Sequence, residues 1–246
     1  VGSLKQKAEQ LRARTGLSLQ HIRSNALGAE IFKLDGWHDT ASLEQLAAEI
    51  AMDSNVEYAH PDYIKRPFFT PNDSRYSEQW HYFENTGGIN VPSVWDTYTG
   101  SGVVVAVIDT GYRAHSDLAA NMLPGYDMIT DTFVSQDGNG RDSDASDPGD
   151  NVRAGECGNN YPPSDQGNSW HGTHVAGTIA AINNNSEGVA GIAPQAKILP
   201  VRVLGKCGGT LADIQEGMLW AAGISVTGIP NNQNKADVIN LSLGGG

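Results

Sequence analysis

Residues 103–109 read VVVAVID: six apolar residues in succession, closed by an acid and followed by Thr110 and Gly111. A run this short and this rich in valine predicts a strand rather than a helix. Because no polar residue alternates through it, the strand has to be buried on both faces, which is the signature of a parallel sheet covered by helices. Working outward, HVAGTIAAI at 174–182 predicts a helix, ILPVRVL at 198–204 a strand, LADIQEGMLWAA at 211–222 a helix and DVINLSL at 237–243 a strand. The order β, α, β, α, β is that of an α/β fold. In such sheets the ligand-binding residues stand just past the carboxyl ends of strands, where Asp109 falls.

Residues 1–66 have a different character. Leu4, Ala8 and Leu11 recur at helical spacing, as do Leu43, Leu46, Ala47 and Ile50, and Asp39 or Thr40 can cap the second helix. LSLQHIR and AEIFKL read as two strands joined through Asn25 and Gly28, and VEYAHPDYIKR at 56–66 as a last strand. The expected order is α, β, β, α, β, a small α/β module. RPFFTPNDSRYSEQW follows, with proline at both ends of an aromatic pair and no sustained period, so residues 67–72 read as a linker and 73–246 as the second domain.

The net charge is -12, and residues 1–66 hold 8 Lys/Arg against 9 Asp/Glu, so -11 of it falls on the remainder. Such a surface repels phosphate backbones and anionic headgroups, which argues against nucleic acid and membrane as partners. The apolar runs fall short of the ~20 residues a spanning helix needs. The opening VGSLKQKAEQ lacks the basic start and apolar centre of a signal peptide, which predicts that any such peptide has been removed. Two cysteines, Cys157 and Cys207, permit one disulfide without requiring it and point to an oxidising compartment.

Taken singly, Asp109 reads as a turn carboxylate and His171 as a histidine at a helix start. A zinc reading of His171 and His174 fits poorly, because zincins space the pair i, i+4 with an adjacent glutamate and position 172 is glycine. His21, His38, His60 and His81 have no companion pattern and read as surface or packing residues. Together, VVVAVIDTGYRAHSDL and SWHGTHVAGTIAA resemble the aspartate and histidine motifs of the subtilisin-like serine proteases. ILPVRVLGKCGG and DVINLSLGGG resemble later motifs of that family, in the family's order.

The resemblance implies a secreted endopeptidase acting on protein or peptide substrates. Asp109 holds the imidazole in the correct tautomer, and His171 is general base and then acid. His174 and His115 are given structural roles. The Gly-Thr-Ser-Met-Ala type motif of the family's nucleophile, and its oxyanion asparagine, do not occur up to Gly246, so both are expected on the carboxy-terminal remainder of the catalytic domain. Ser242 is not a substitute, since it lies in the family's substrate-binding strand. There Ser242, Leu243 and Gly244 pair with the extended peptide, and Gly208 and Gly209 form the opposite edge. On this expectation the chain alone is inactive.

The resemblance further implies that residues 1–66 are a propeptide, chaperone and inhibitor of the same protease, with a cut between Phe69 and Thr70. Ca2+ is the implied ion, held by Asp73, Asp117, Asn184 and the carbonyls of Ile182, Glu187 and Val189. Six aspartates between 131 and 150 form a second cation candidate, against the reading of a solvated acidic loop. A Cys157 to Cys207 bridge would close a loop of about 50 residues, worth about 3 to 4 kcal/mol in the chain-entropy model. Two alternatives share this sequence: a propeptide-type inhibitor module, and a pseudoprotease that binds peptides without cutting them.

Overall fold

The computed structural model describes residues 9, 12, 13, 16, 18–36, 38–64 and 69–245. The chain divides into two compact units, Val1–Pro67 and Phe68–Gly246. In the first, β1 (Leu19–Ser24) and β2 (Glu30–Leu34) pair antiparallel, with Leu19 opposite Leu34. The Asn25 side chain closes their turn by accepting from the N–H groups of Leu27 and Ala29, both at 2.9 Å. Gly28 takes the left-handed φ of 83° that the turn requires. α1 (Thr40–Ala51) starts where Asp39 accepts from Ser42 N–H, and it buries Leu46 and Ala47.

Two expectations fare differently. The helix predicted from Leu4, Ala8 and Leu11 lies, at those positions, outside the described residues. The strand predicted at 56–66 does not form over 56–64. Pro61 stands in the middle of that segment and has no N–H for a ladder.

In the second unit the elements are α2 (Pro92–Trp95), β3 (Val104–Asp109), α3 (Ser116–Ala119), β4 (Tyr126–Asp127) and α4 (Thr132–Ser135). α5 (His171–Ala180), β5 (Lys197–Arg202), α6 (Leu211–Ala221) and β6 (Val238–Asn240) follow. The sheet order is β4-β5-β3-β6 and every pairing is parallel, with Asp109 opposite Arg202 at the carboxyl ends of β3 and β5. The five elements predicted from 103 onward are all present. β4, only two residues long, carries too little pattern to be seen in the sequence.

Alternation along β3 sorts the core. Val105 and Val107 pack with Ala176 and Ala180 of α5, Leu118 of α3 and Ile198. Ala106 and Ile108 pack on the other face with Trp220 and Ala221 of α6, Leu199, Val201 and Val203. Asp109 therefore belongs to the face covered by α5, whose first residue is His171. Burial on both faces explains the unbroken apolar runs.

A third cluster gathers Tyr82, Val91, Trp95 and Ala190, with Phe69 and Tyr76 packed against it. The Phe69 ring stands edge-on to Trp95 with centroids 6.2 Å apart. A cut between Phe69 and Thr70 would remove this ring from the second unit. In the uncleaved chain, then, Phe69 packs within the second unit.

Candidate active site

The register that ends β3 at Asp109 leaves its carboxylate fully buried, 2.8 and 2.9 Å from Nδ1 of His171 through its two oxygens. The His171 side chain is 46% exposed. With Nδ1 donating to the carboxylate, Nε2 is the basic nitrogen, and it is the one left to act on a bound molecule. Thr110 N–H also donates to Asp109 Oδ1, at 2.7 Å, so the carboxylate is held from two sides.

Close approach of β3 and α5 depends on glycine. A Cβ on Gly172 would lie 2.2 Å from the Gly111 carbonyl oxygen and 3.2 Å from Asp109 Cβ, and one on Gly111 would lie 2.4 Å from the Ala145 carbonyl oxygen. Gly172 N–H donates to Thr110 Oγ1 at 3.0 Å, and that hydroxyl donates to Asp147 Oδ2 at 2.9 Å. Burial raises the Asp147 carboxyl above the ordinary range, against the bonds from Thr110 and from Gly149 N–H. The segment before α5 is fixed by Asp150, which accepts from Ser169 N–H at 2.6 Å and from Ser169 Oγ at 2.5 Å. His171 N–H in turn donates to Ser169 Oγ at 3.2 Å.

Sequence reasoning missed Thr110, Asp147, Asp150 and Ser169. The only available signal was the density of aspartates between 131 and 150. Asp131 caps α4, Asp137 accepts from Ser135 Oγ, and Asp142 and Asp144 accept the N–H groups two residues on. All six therefore accept hydrogen bonds from nearby protein groups, and Arg141 pairs instead with Asp213 and Glu216.

His115 accepts from Asp117 N–H at 3.1 Å and caps α3, which gives its imidazole a structural task. His174 is exposed one turn along α5 from His171. Among the described residues no group of three or more His, Cys, Asp or Glu side chains is arranged to hold a metal ion.

The candidate calcium residues converge on the loop 182–189. Asp73, 5% exposed, accepts Asn184 N–H at 2.7 Å through Oδ2, while its buried Oδ1 has no hydrogen-bond partner. Asp117, equally buried, accepts from Asn185 Nδ2 at 2.7 Å and from Val189 N–H at 3.1 Å. Ile182 N–H donates to the Asp117 carbonyl, and Ser116 Oγ donates to Glu187. The loop closes on Asp117 only because residue 188 is glycine, where a Cβ would lie 2.3 Å from Asp117 Oδ2. A buried carboxylate oxygen without a donor is the kind of group a hard cation satisfies.

Of the expected substrate edges, Gly208 has both backbone groups bonded to Gly205, at 2.9 and 3.0 Å, in a tight turn. Gly209 abuts the chain so closely that a Cβ would lie 2.0 Å from the Val203 carbonyl oxygen. Residues 241–245 form no regular element, with Ser242 and Gly244 exposed and Leu243 packed against the α6-side core. Ser242 Oγ accepts from Asn240 Nδ2 at 2.9 Å and lies in no acid or base network. Cys157 and Cys207, separated by 50 residues, form a disulfide that ties the loop 152–166 to the turn before Gly208. Lys206 pairs with Glu156 beside it at 2.6 Å.

The site is thus an aspartate–histidine pair at the carboxyl end of a central strand of a parallel α/β sheet. The subtilase family model matches residues 100–246, and the chain belongs to that family. It is 52% identical over 246 residues to an extracellular protease of Xanthomonas campestris, covering 99% of this chain and 42% of that protein. It is 47% identical over 234 residues to an extracellular basic protease of Dichelobacter nodosus, covering 94% and 39%. Among solved structures, a protease of Pseudoalteromonas arctica superposes with a TM-score of 0.70 at 66% identity, covering 72% of this chain and 51% of that one. The chain thus spans about two fifths of the length of the curated relatives it matches. The fold is subtilisin-like and the protein is extracellular, as these relatives are. No helix among the described residues is long and apolar enough to cross a membrane.

Proposed function

We propose that this chain is part of a secreted serine endopeptidase that cleaves protein substrates through an acyl-enzyme. The observation that carries the reading is the 2.8 and 2.9 Å contact of His171 Nδ1 with the buried Asp109 carboxylate. Asp109 fixes the tautomer that leaves Nε2 basic, and it stabilises the imidazolium formed when His171 takes the proton of a serine hydroxyl. His171 then protonates the leaving amine, and repeats both transfers as water cleaves the acyl-enzyme. The family's serine motif is absent from residues 1–246 and the relatives are more than twice as long. We therefore assign the nucleophile and the oxyanion asparagine to polypeptide outside these residues. Substrate binds as an added strand against Ser242, Leu243 and Gly244, with Gly208 and Gly209 on the opposite side. In the full-length protein Asp109→Asn is expected to lower kcat roughly 10⁴-fold, the size known for this substitution in a serine protease of another fold. A loss of less than tenfold would contradict the assigned role.

Residues 1–66 are, in this reading, a leader that inhibits its own protease until removed. Its support is the separation of the chain into two compact units at Pro67 and Phe68. Amino-terminal sequencing of secreted, active enzyme should begin at Thr70 or within a few residues of it. A start well before residue 66 contradicts the leader. Asp73, Asp117 and the loop 182–189 would hold a Ca2+ ion, whose contribution is to rigidify a loop with no core of its own.

A further inference from the structure

The residue that precedes the catalytic histidine has an unusual backbone. Trp170 has φ 51° and ψ 32°, in the left-handed region, and stands at the N-cap of α5 without a side-chain capping bond. A bulky residue rarely occupies that region, where glycine enters without strain. Strain of this kind persists only where neighbours over-determine it, and it gathers at functional sites. The neighbours are identifiable. Arg113 stacks its guanidinium 4.4 Å from the centre of the indole ring, and Arg113 N–H donates at 2.9 Å to Thr173 Oγ1 in the first turn of α5. From the other direction, Ser169 is held by Asp150 through two hydrogen bonds. Trp170 is therefore clamped on both sides, remains only partly buried, and adjoins the exposed imidazole of His171.

A capping residue such as serine or asparagine would serve α5 better, and glycine would serve the backbone better. Neither supplies a large flat apolar surface. We propose that Trp170, pinned by Arg113, is a specificity-determining residue. In this assignment the indole forms a wall for the substrate side chain nearest His171 and selects apolar or aromatic side chains there. The inference rests on the protease reading above, since it needs a peptide bond placed at His171. Contact with an aromatic face favours apolar partners and is indifferent to glycine.

The test uses full-length enzyme and peptides that vary one residue at a time, glycine, alanine, leucine or phenylalanine, at each position flanking the scissile bond. Trp170→Gly is expected to lower kcat/KM about tenfold or more for leucine and phenylalanine at one flanking position, the size expected when a hydrophobic contact is lost. The glycine and alanine peptides should be unchanged at that position, and the thermal midpoint unchanged or raised, because glycine relieves the left-handed strain. Arg113→Ala should give a smaller loss with the same dependence on the peptide, and Trp170→Phe should keep part of the preference. An equal loss on all peptides with a lowered midpoint would assign Trp170 a structural role and overturn the proposal, as would an unchanged preference. If the wild-type enzyme cleaves none of the peptides and fails to label with a serine-directed reagent, the protease reading itself fails. Wild-type cleavage with an unaltered Trp170→Gly preference sinks only the wall.

Discussion

Arg202, fully buried at the end of β5, brings a permanent positive charge to the strand position opposite Asp109. Its guanidinium donates to Asp127, to Asp137 at 3.1 Å and to the Ser135 carbonyl, while its Nε has no partner. One cation thus faces two carboxylates. Asp137 lies below the usual carboxylate range despite the upward push of its burial, because Ser135 Oγ and Asn139 N–H donate to it. Asp127, with no solvent exposure, is pushed up to about 7 by burial against the pull of Arg202. The folded state therefore keeps a proton on Asp127 that the unfolded chain has lost above its ordinary value of 3.8. Folding stability accordingly falls as pH rises from about 4 to about 7, by at most about 1.4 kcal/mol per pH unit from this group. Asp127→Asn cannot titrate and keeps one acceptor oxygen, for either Arg202 or Ile129 N–H. Denaturant unfolding across that window should show a shallower pH slope in the variant, and an identical slope would contradict the assignment. None of this was legible in ILPVRVL, where Arg202 reads as one polar residue in an apolar strand. Its partners lie 65 to 75 residues away.

At the scale of elements, what could be read depended on whether the information was local. β3, α5, β5, α6 and β6 announced themselves through period and continuity, and alternation from Val105 already places Asp109 on the α5 face. The two-residue β4 and the left-handed Trp170 arise from long-range packing, and no periodicity reports them. The last strand expected in the first unit shows the opposite failure: a strand read from VEYAHPDYIKR was overruled by Pro61. The loop 182–189 stands between these cases. The calcium expectation for it came from resemblance, and only the fold brings Asp73 and Asp117 together from distant segments, with one buried oxygen of Asp73 unmatched. Excess chelator should lower the thermal midpoint of the full-length enzyme, and added Ca2+ should restore it. An unchanged melting curve would remove calcium from the account of this loop.

At the scale of the whole molecule, residues 67–246 carry -11 of the total -12, and five of their 19 acidic side chains are turned inward around the site. Asp109, Asp147, Asp150, Asp127 and Asp137 all serve as acceptors at or near the carboxyl end of the sheet. The disulfide ties the loop 152–166 to the turn beside Gly208 and Gly209, joining two segments that periodicity could not connect. The central claim concerns Asp109 and His171 as the proton-transfer half of a serine protease whose nucleophile lies on other polypeptide of the same protein. The most direct measurement is labelling of the full-length protein with a serine-directed fluorophosphonate, alongside its His171→Ala variant. The account predicts stoichiometric labelling of one serine outside residues 1–246 in the wild type, and labelling slowed by several orders of magnitude in the variant. No labelling of the intact wild type, or equal labelling of both proteins, would contradict it.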